Sequence, residues 1–255
     1  NALESRLQGA ISDEQAAEAR YDLLSQIESI HNELAETGLG TRLTEFFNAW
    51  SELANNPSEY SLRTLVVEQG ASMAGFIQSM HSDLVAARNQ LDDQIRGAAD
   101  QVTAQLEQIA TLNRTISTSE GGAGGNNALR DERDQLVKEV SRLIDVSTVE
   151  QSNGTLDVFV NGIPLVLGTN NRGVRIDYET SSGGADLDIQ VRVAEDGTFL
   201  NPTSGRIGMM IQARETDMIH AIDTLDAFAG TLIQQVNRVH SQGQGDTFFT
   251  EVTGT

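Results

Sequence analysis

Met73-Ala-Gly-Phe-Ile77-Gln-Ser-Met80-His-Ser-Asp-Leu84 opens a run whose apolar residues return in steps of three and four as far as Ile116, through Ala87, Leu91, Ile95, Ala98, Val102, Leu106, Ile109 and Leu112. That spacing marks one face of an α-helix, and sustained over this distance it makes a heptad-like seam for packing against other helices. No proline interrupts Ser61 to Ile116. One rod-like helix is expected there, on the order of 80 Å long at about 1.5 Å per residue. Gly70, Gly75 and Gly97 fall inside it. Each costs about 1 kcal/mol against alanine, so a bend or break is expected near Gly70 or Gly75.

Upstream, Leu3, Leu7, Ala10, Ala17, Tyr21, Leu24, Ile27, Ile30 and Leu34 form one stripe and predict a helix from Ala2 to about Thr37, stopped by Gly38-Leu-Gly40. Thr41 is the expected N-cap of a short second helix bearing Leu43, Phe46, Phe47, Trp50 and Leu53, which Pro57 closes. The trio Phe46, Phe47 and Trp50 has the spacing of a core plug rather than a ligand platform.

Downstream, Ser117-Thr-Ser-Glu-Gly-Gly-Ala-Gly-Gly-Asn126 is a flexible connector. Asn126 or Asn127 then caps a helix carrying Leu129, Arg133, Leu136, Val140 and Leu143. From about Asp145 the period changes to two. Asn153-Gly154, Asn161-Gly162, Gly183-Gly184 and Asp196-Gly197 punctuate runs such as Leu156 to Val160 and Val174 to Tyr178, which are hairpin signals for about five antiparallel strands. Helical rhythm returns near Gly205 with Met218, Ile222, Leu225, Ala229, Leu232, Val236 and Val239. The expected class is mainly α with an inserted β module (α+β): an elongated, coiled-coil-like helical bundle with a first part at 1–144, the antiparallel module at 145–205, and a returning helix and exit at 206–255. The first residue is Asn1 and not Met; Leu3, Leu7 and Ala10 already run in helical phase, and Asp246-Thr-Phe-Phe-Thr-Glu-Val ends in a strand-like pattern. Both ends are expected to be cuts within a longer protein.

The chain carries 37 Asp plus Glu against 17 Lys plus Arg, a net charge of −20, which repels phosphate backbones and anionic membrane surfaces. Lys138 is its one lysine, so its cations are forked guanidinium donors suited to fixed pairs. Without cysteine there is no disulfide, thiolate metal site or cysteine nucleophile. No apolar run approaches the roughly 20 residues of a bilayer span, and no basic-then-apolar leader precedes Asn1. His31, His81, His220 and His240 are scattered, and His220 with Asp223 is too little for a metal site. Gly121 to Gly125 lacks the Gly-Lys-Ser/Thr of a phosphate loop, no serine sits in a Gly-x-Ser-x-Gly elbow, and neither Asp92-Asp93 nor Asp186-Leu-Asp188 belongs to a calcium loop. No catalytic, cofactor or metal site is expected.

Arg133 lies on an apolar stripe and needs a partner or must snorkel. It is expected to fork onto a carboxylate of the long helix and fix how the short helix folds back. In the alternative the neighbourhood is simply a solvated face on which Asp134 pairs with Lys138, contributing about 0.2–0.5 kcal/mol.

Asn127-Ala-Leu-Arg-Asp-Glu-Arg-Asp-Gln-Leu136, followed by Val140-Ser-Arg-Leu143 and Val146, resembles the Asn-x-Leu-x-Asp-x-Arg-Asp-x-Leu signature of the hook-associated protein 1 (FlgK) family of bacterial flagella. Here it falls on Asn127, Leu129, Asp131, Arg133, Asp134 and Leu136. Phe46-Phe47, Asn56-Pro57, Arg63 and Val67 before it are similar to the same family. So are Gly205-Arg-Ile-Gly208, Arg214, the returning-helix residues Val236, Asn237, His240 and Gly243, and Phe248-Phe249 after it.

The resemblance implies a structural adaptor between hook and filament, not an enzyme. It also implies an extracellular protein exported through the flagellar secretion apparatus without a cleaved signal. Its implied partners are copies of itself in a ring, the hook protein, the second hook-associated protein, and an export chaperone acting through the C-terminal region. This segment alone is expected to be monomeric. In that setting Asn113-Arg-Thr115 and Asn153-Gly-Thr155 are not glycosylation sites. The competing readings are a secreted, adhesin-like module binding sugar or a host protein through its strands, or another axial protein, flagellin or the second junction protein.

Overall fold

A computed structural model describes residues 2–31, 38–119, 127–180 and 187–242. The seam residues do build one helix, α3, running from Tyr60 to Ser119. Met73, Met80, Leu84, Leu91, Ile95, Val102, Leu106, Ile109 and Ile116 are buried along it. The helix continues through Gly70, Gly75 and Gly97 without the break expected near the first two. Burying one large apolar side chain gives about 1.5–3 kcal/mol, which outweighs the cost of each glycine. Toward its end the seam shifts: Asn113 is fully buried, while Leu112 is only half-buried.

Helix α1 spans Ala2–His31, and the residues expected to extend it, Leu34 among them, lie outside the described residues. Its buried side is Gln8, Ser12, Ala16 and Leu23. The apolar stripe Leu3, Leu7, Ala10, Ala17, Tyr21 and Leu24 is exposed instead. Periodicity shows that a stripe exists, but not which side neighbouring elements cover. Helix α2 spans Leu39–Asn55 with extended Gly38 at its N-cap. Thr41 therefore sits inside the first turn instead of capping it. At the other end Arg63 Nη2 donates to the Pro57 carbonyl at 2.9 Å. Helix α4 is Asn127–Leu143, and most of the glycine-rich connector before it lies outside the described residues.

Among the described residues seven strands form where about five were expected, in two antiparallel sheets. One is a meander of β1 (Ser147–Glu150), β2 (Leu156–Val160), β3 (Ile163–Leu167) and β4 (Asn170–Asn171). The other is β5 (Val174–Thr180), β6 (Leu187–Val193) and β7 (Phe199–Leu200). Asn161 and Gly162, both at positive φ (48° and 78°), make the two-residue link between β2 and β3, the conformation that Asn-Gly adopts most readily in tight hairpins. Gly183-Gly184, between β5 and β6, lies outside the described residues.

After the sheets come α5 (Gly205–Ala213), a five-residue π-helical turn (Arg214–Met218) and α6 (Ile219–Ser241). Gly205 has φ 73°, and a β-carbon on it would lie 2.8 Å from the Cα of Ile144. Only glycine fits that conformation at that distance.

Two compact units divide the chain. The first holds residues 1–23 and 90–215, the second 24–89 and 216–255. Both sheets and α4 belong to the first unit with the C-terminal part of α3, so the division runs through helices and does not follow the segment boundaries at 144 and 205.

Candidate functional site

The residues singled out on α4 meet a buried polar junction inside the first unit. Asn113 projects from α3, one position after Leu112. Its Nδ2 donates to the carbonyls of Leu156 (2.8 Å) and Gly168 (2.6 Å). Its Oδ1 accepts from the Leu156 amide at 2.9 Å and from Arg133 Nη1 at 3.0 Å. The amide thus pairs with the Leu156 peptide as a neighbouring strand would, and every polar capacity it has is used. Arg133, 2% exposed, also donates from Nη1 to the Gly154 carbonyl at 2.7 Å and from Nη2 to Glu150 Oε1 at 3.1 Å. Arg130 shares Glu150.

Arg133 therefore ties α4 to the long helix as expected of it, but the helix offers an amide. The carboxylate, Glu150, comes from β1. The buried side of α4 is Arg133, Val137, Val140, Ser141 and Leu143, a face rotated from the expected one, so Leu129 and Leu136 are half-buried. Asn127, the first helical residue, and Asp131 are exposed. Asp134 is exposed too. Burial of its carboxyl nevertheless holds its pKa above the ordinary value; Arg133 opposes the rise, Glu4 and Glu150 add to it, and Lys138 opposes it.

Polar residues spaced along α3 hold the sheets. Thr103 Oγ1 donates to the Val174 carbonyl (3.0 Å) and accepts from the Val174 amide (2.9 Å). Arg96 donates to the Tyr178 hydroxyl at 2.7 Å, and Asn171 donates to Glu107 at 3.2 Å. At the π-helical turn Arg214, 3% exposed, donates from Nε to Asp92 at 2.6 Å and from Nη1 to Glu215 at 2.9 Å. Burial pulls the Arg214 pKa down, but these carboxylates outweigh it and keep the guanidinium charged. None of these contacts is legible in the sequence, although the step from Ile109 through Asn113 to Ile116 also runs in a four and a three and is a signal that marks Asn113.

In the second unit Phe46 is fully buried with Ala49, Val66 and Met73, and Trp50, Leu232 and Val236 pack against them. Phe46 meets Trp50 edge-on at 6.3 Å, and Trp50 meets the half-buried His240 at 6.0 Å. Phe47 is half exposed and touches Phe46 from outside at 5.4 Å. Asn237 is half-buried, while Gly243 lies outside the described residues. Among the described residues no three His, Asp or Glu side chains converge for a metal, and no helix is long and apolar enough to cross a membrane.

These features define a helical scaffold carrying antiparallel sheets, with buried polar groups spent on fastening elements together. The chain belongs to the flagellar hook-associated protein FlgK helical domain family, whose model matches residues 24–249. It is 26% identical to flagellar hook-associated protein 1 of Escherichia coli K12 over 96% of this chain and 47% of the relative. To the protein of the same name from Salmonella typhimurium LT2 it is 26% identical, over 94% and 44%. Against the Bacillus subtilis protein of that name the figure is 30%, over 51% and 26%. The structure of the flagellar hook junction protein FlgK from Burkholderia pseudomallei has the same fold, with a TM-score of 0.80 and 24% identity over 91% of this chain and 43% of that one. The chain spans about half the length of the relatives it matches most fully. Of the axial proteins considered, the matches favour hook-associated protein 1 over flagellin and the second junction protein.

Proposed function

We propose that this chain is the helical and β part of a structural adaptor joining the flagellar hook to the filament. The family match across residues 24–249 carries the reading. The signature Asn127 to Leu136 supports it by falling on the helix that the Asn113–Arg133 junction fastens. In this reading the 145–205 module is inserted between helical segments 1–144 and 206–255. Neighbouring copies form a ring, with the hook protein and the second hook-associated protein as axial partners. An export chaperone acts through the C-terminal region of the whole protein. The protein works outside the cell, after export through the flagellar secretion apparatus without a cleaved signal, and catalyses no reaction. The isolated chain is a monomer, and its charge of −20 keeps it from nucleic acid and anionic membranes.

A chimera tests the reading. Residues 1–255 replace the matching segment of the Escherichia coli relative in a strain lacking that protein. Filaments on the hooks and restored swimming are expected. A chimera that is exported intact yet leaves the hooks bare overturns the reading.

A further inference from the structure

The four-stranded sheet ends at β1, which among the described residues pairs with β2 and with no other strand. The Gln151 amide donates to the Thr155 carbonyl at 2.8 Å, while the Leu156 peptide turns the other way, to Asn113. Alternation along an antiparallel ladder then aims the main-chain groups of Glu150 and Thr148 away from β2, at the outer edge. Among the described residues no partner takes them.

A cavity of about 680 Å³ lies against this edge and touches Thr148, Val149 and Glu150 in succession. Successive side chains of a strand point to opposite faces, so a space that meets all three runs along the edge and not over one face. Helix α4 lines it from Arg130 to Lys138, about 12 Å of helix. The lining holds unspent hydrogen-bonding capacity. Gln8 is 8% exposed and Arg133 2%, and Gln8 Oε1 and Arg133 Nε have no partner. Asp134 and Lys138 line the cavity too, and among the described residues neither makes a hydrogen bond or ion pair. Four residues of helix rise about 6 Å and two residues of strand about 6.6 Å. Asp134 and Lys138 therefore match side chains at i and i+2 of a strand laid beside α4. A second β1, Ser147-Thr-Val-Glu150, has a carboxylate for Lys138 but no cation for Asp134.

We propose that an extended peptide segment of another protein adds to β1 as a fifth strand of this sheet, carrying a carboxylate for Lys138 and a cation for Asp134 two residues apart. Main-chain hydrogen bonds to Thr148 and Glu150 hold the segment, and its alternate side chains select it. The inference stands on the first unit alone and not on the hook–filament reading.

A labelled hexapeptide, acetyl-Thr-Glu-Val-Lys-Val-Thr-amide, tests it by titration with the full chain, followed by fluorescence anisotropy. Saturable binding is expected, with slowed exchange of the Thr148 and Glu150 amides. Lys138→Ala should weaken binding about ten-fold, as should glutamine in place of the peptide's glutamate, and the two losses should not add. Lys138 has no partner to lose, so the variant should keep the parent circular dichroism spectrum. Methylating every backbone nitrogen of the peptide removes its ladder donors and should abolish binding. No saturation below about 1 mM, unchanged exchange at the two amides, or full affinity of the methylated peptide or of Lys138→Ala overturns the proposal. Self-association of the chain that the peptide displaces also overturns it and assigns the edge to a second copy.

Discussion

Phe46 closes the second unit on Ala49, Val66 and Met73. In the first unit the seam position between Ile109 and Ile116 is held by buried Asn113, which binds Leu156, Gly168 and Arg133. An apolar cluster is favoured by the area it removes from water, without regard to direction. The amide of Asn113 accepts only partners at hydrogen-bond distance and in the right direction. It therefore fixes β2, the β3–β4 turn and α4 against one turn of α3. The first unit needs this because strands can slip by a residue where helices packed through a seam have little freedom to do so.

The largest effect should come from removing the hub. Asn113→Ala leaves two buried carbonyls, an amide and part of a guanidinium unpaired, and should cost about 4 kcal/mol at 1–3 kcal/mol per group. Faster amide exchange at Leu156 and Val158 is the readout. Arg133→Met should cost less, about 2 kcal/mol, since methionine replaces some of the lost packing; an unchanged or raised melting temperature would remove Arg133 from the clamp. Between these two falls Phe46→Ala, at about 3–4 kcal/mol in urea denaturation followed by Trp50 fluorescence, whereas Phe47→Ala should stay within about 0.5 kcal/mol. The gap between the two phenylalanines measures how much of the aromatic trio is core.

Gly75→Ala tests the seam itself. A β-carbon there meets nothing within 4 Å, so the substitution should stabilise by up to about 1 kcal/mol. A loss would mean the long helix uses that glycine. Asp134→Asn should have the smallest effect and the most diagnostic pH dependence. With its folded-state pKa raised, the protonated carboxyl favours the folded chain at acid pH. That contribution disappears as pH rises from the ordinary carboxylate value through the raised one. Urea midpoints measured from about pH 3 to pH 7 should therefore fall less steeply for the asparagine variant than for the parent.

Much of the fold could be read because its signals are local. The three-and-four steps from Met73 to Ile116 needed no partner to announce a helix, and Asn161-Gly162 carried its hairpin in two residues. What escaped depends on neighbours distant in sequence. Asn113 reads in the sequence as part of a glycosylation sequon because its three partners, Arg133, Leu156 and Gly168, lie elsewhere in the chain. The buried side of α1 was misjudged because Gln8 and Ser12 are covered by other elements, Gln8 by Thr148 for one. The π-helical turn at Arg214–Met218 leaves no trace in apolar spacing, and the split into two sheets depends on pairings that alternation alone does not specify. On α4 the signature located Arg133 correctly and left open what it holds.

The near contact between Gly205 and Ile144 has a further consequence. A β-carbon on Gly205 would stand 2.8 Å from the backbone of Ile144, although 60 positions lie between the two residues. The segment from Asp145 to Ser204 thus begins and ends at one place, where α4 and α5 meet. That closure rests on a single hydrogen atom standing where any other residue would put a carbon.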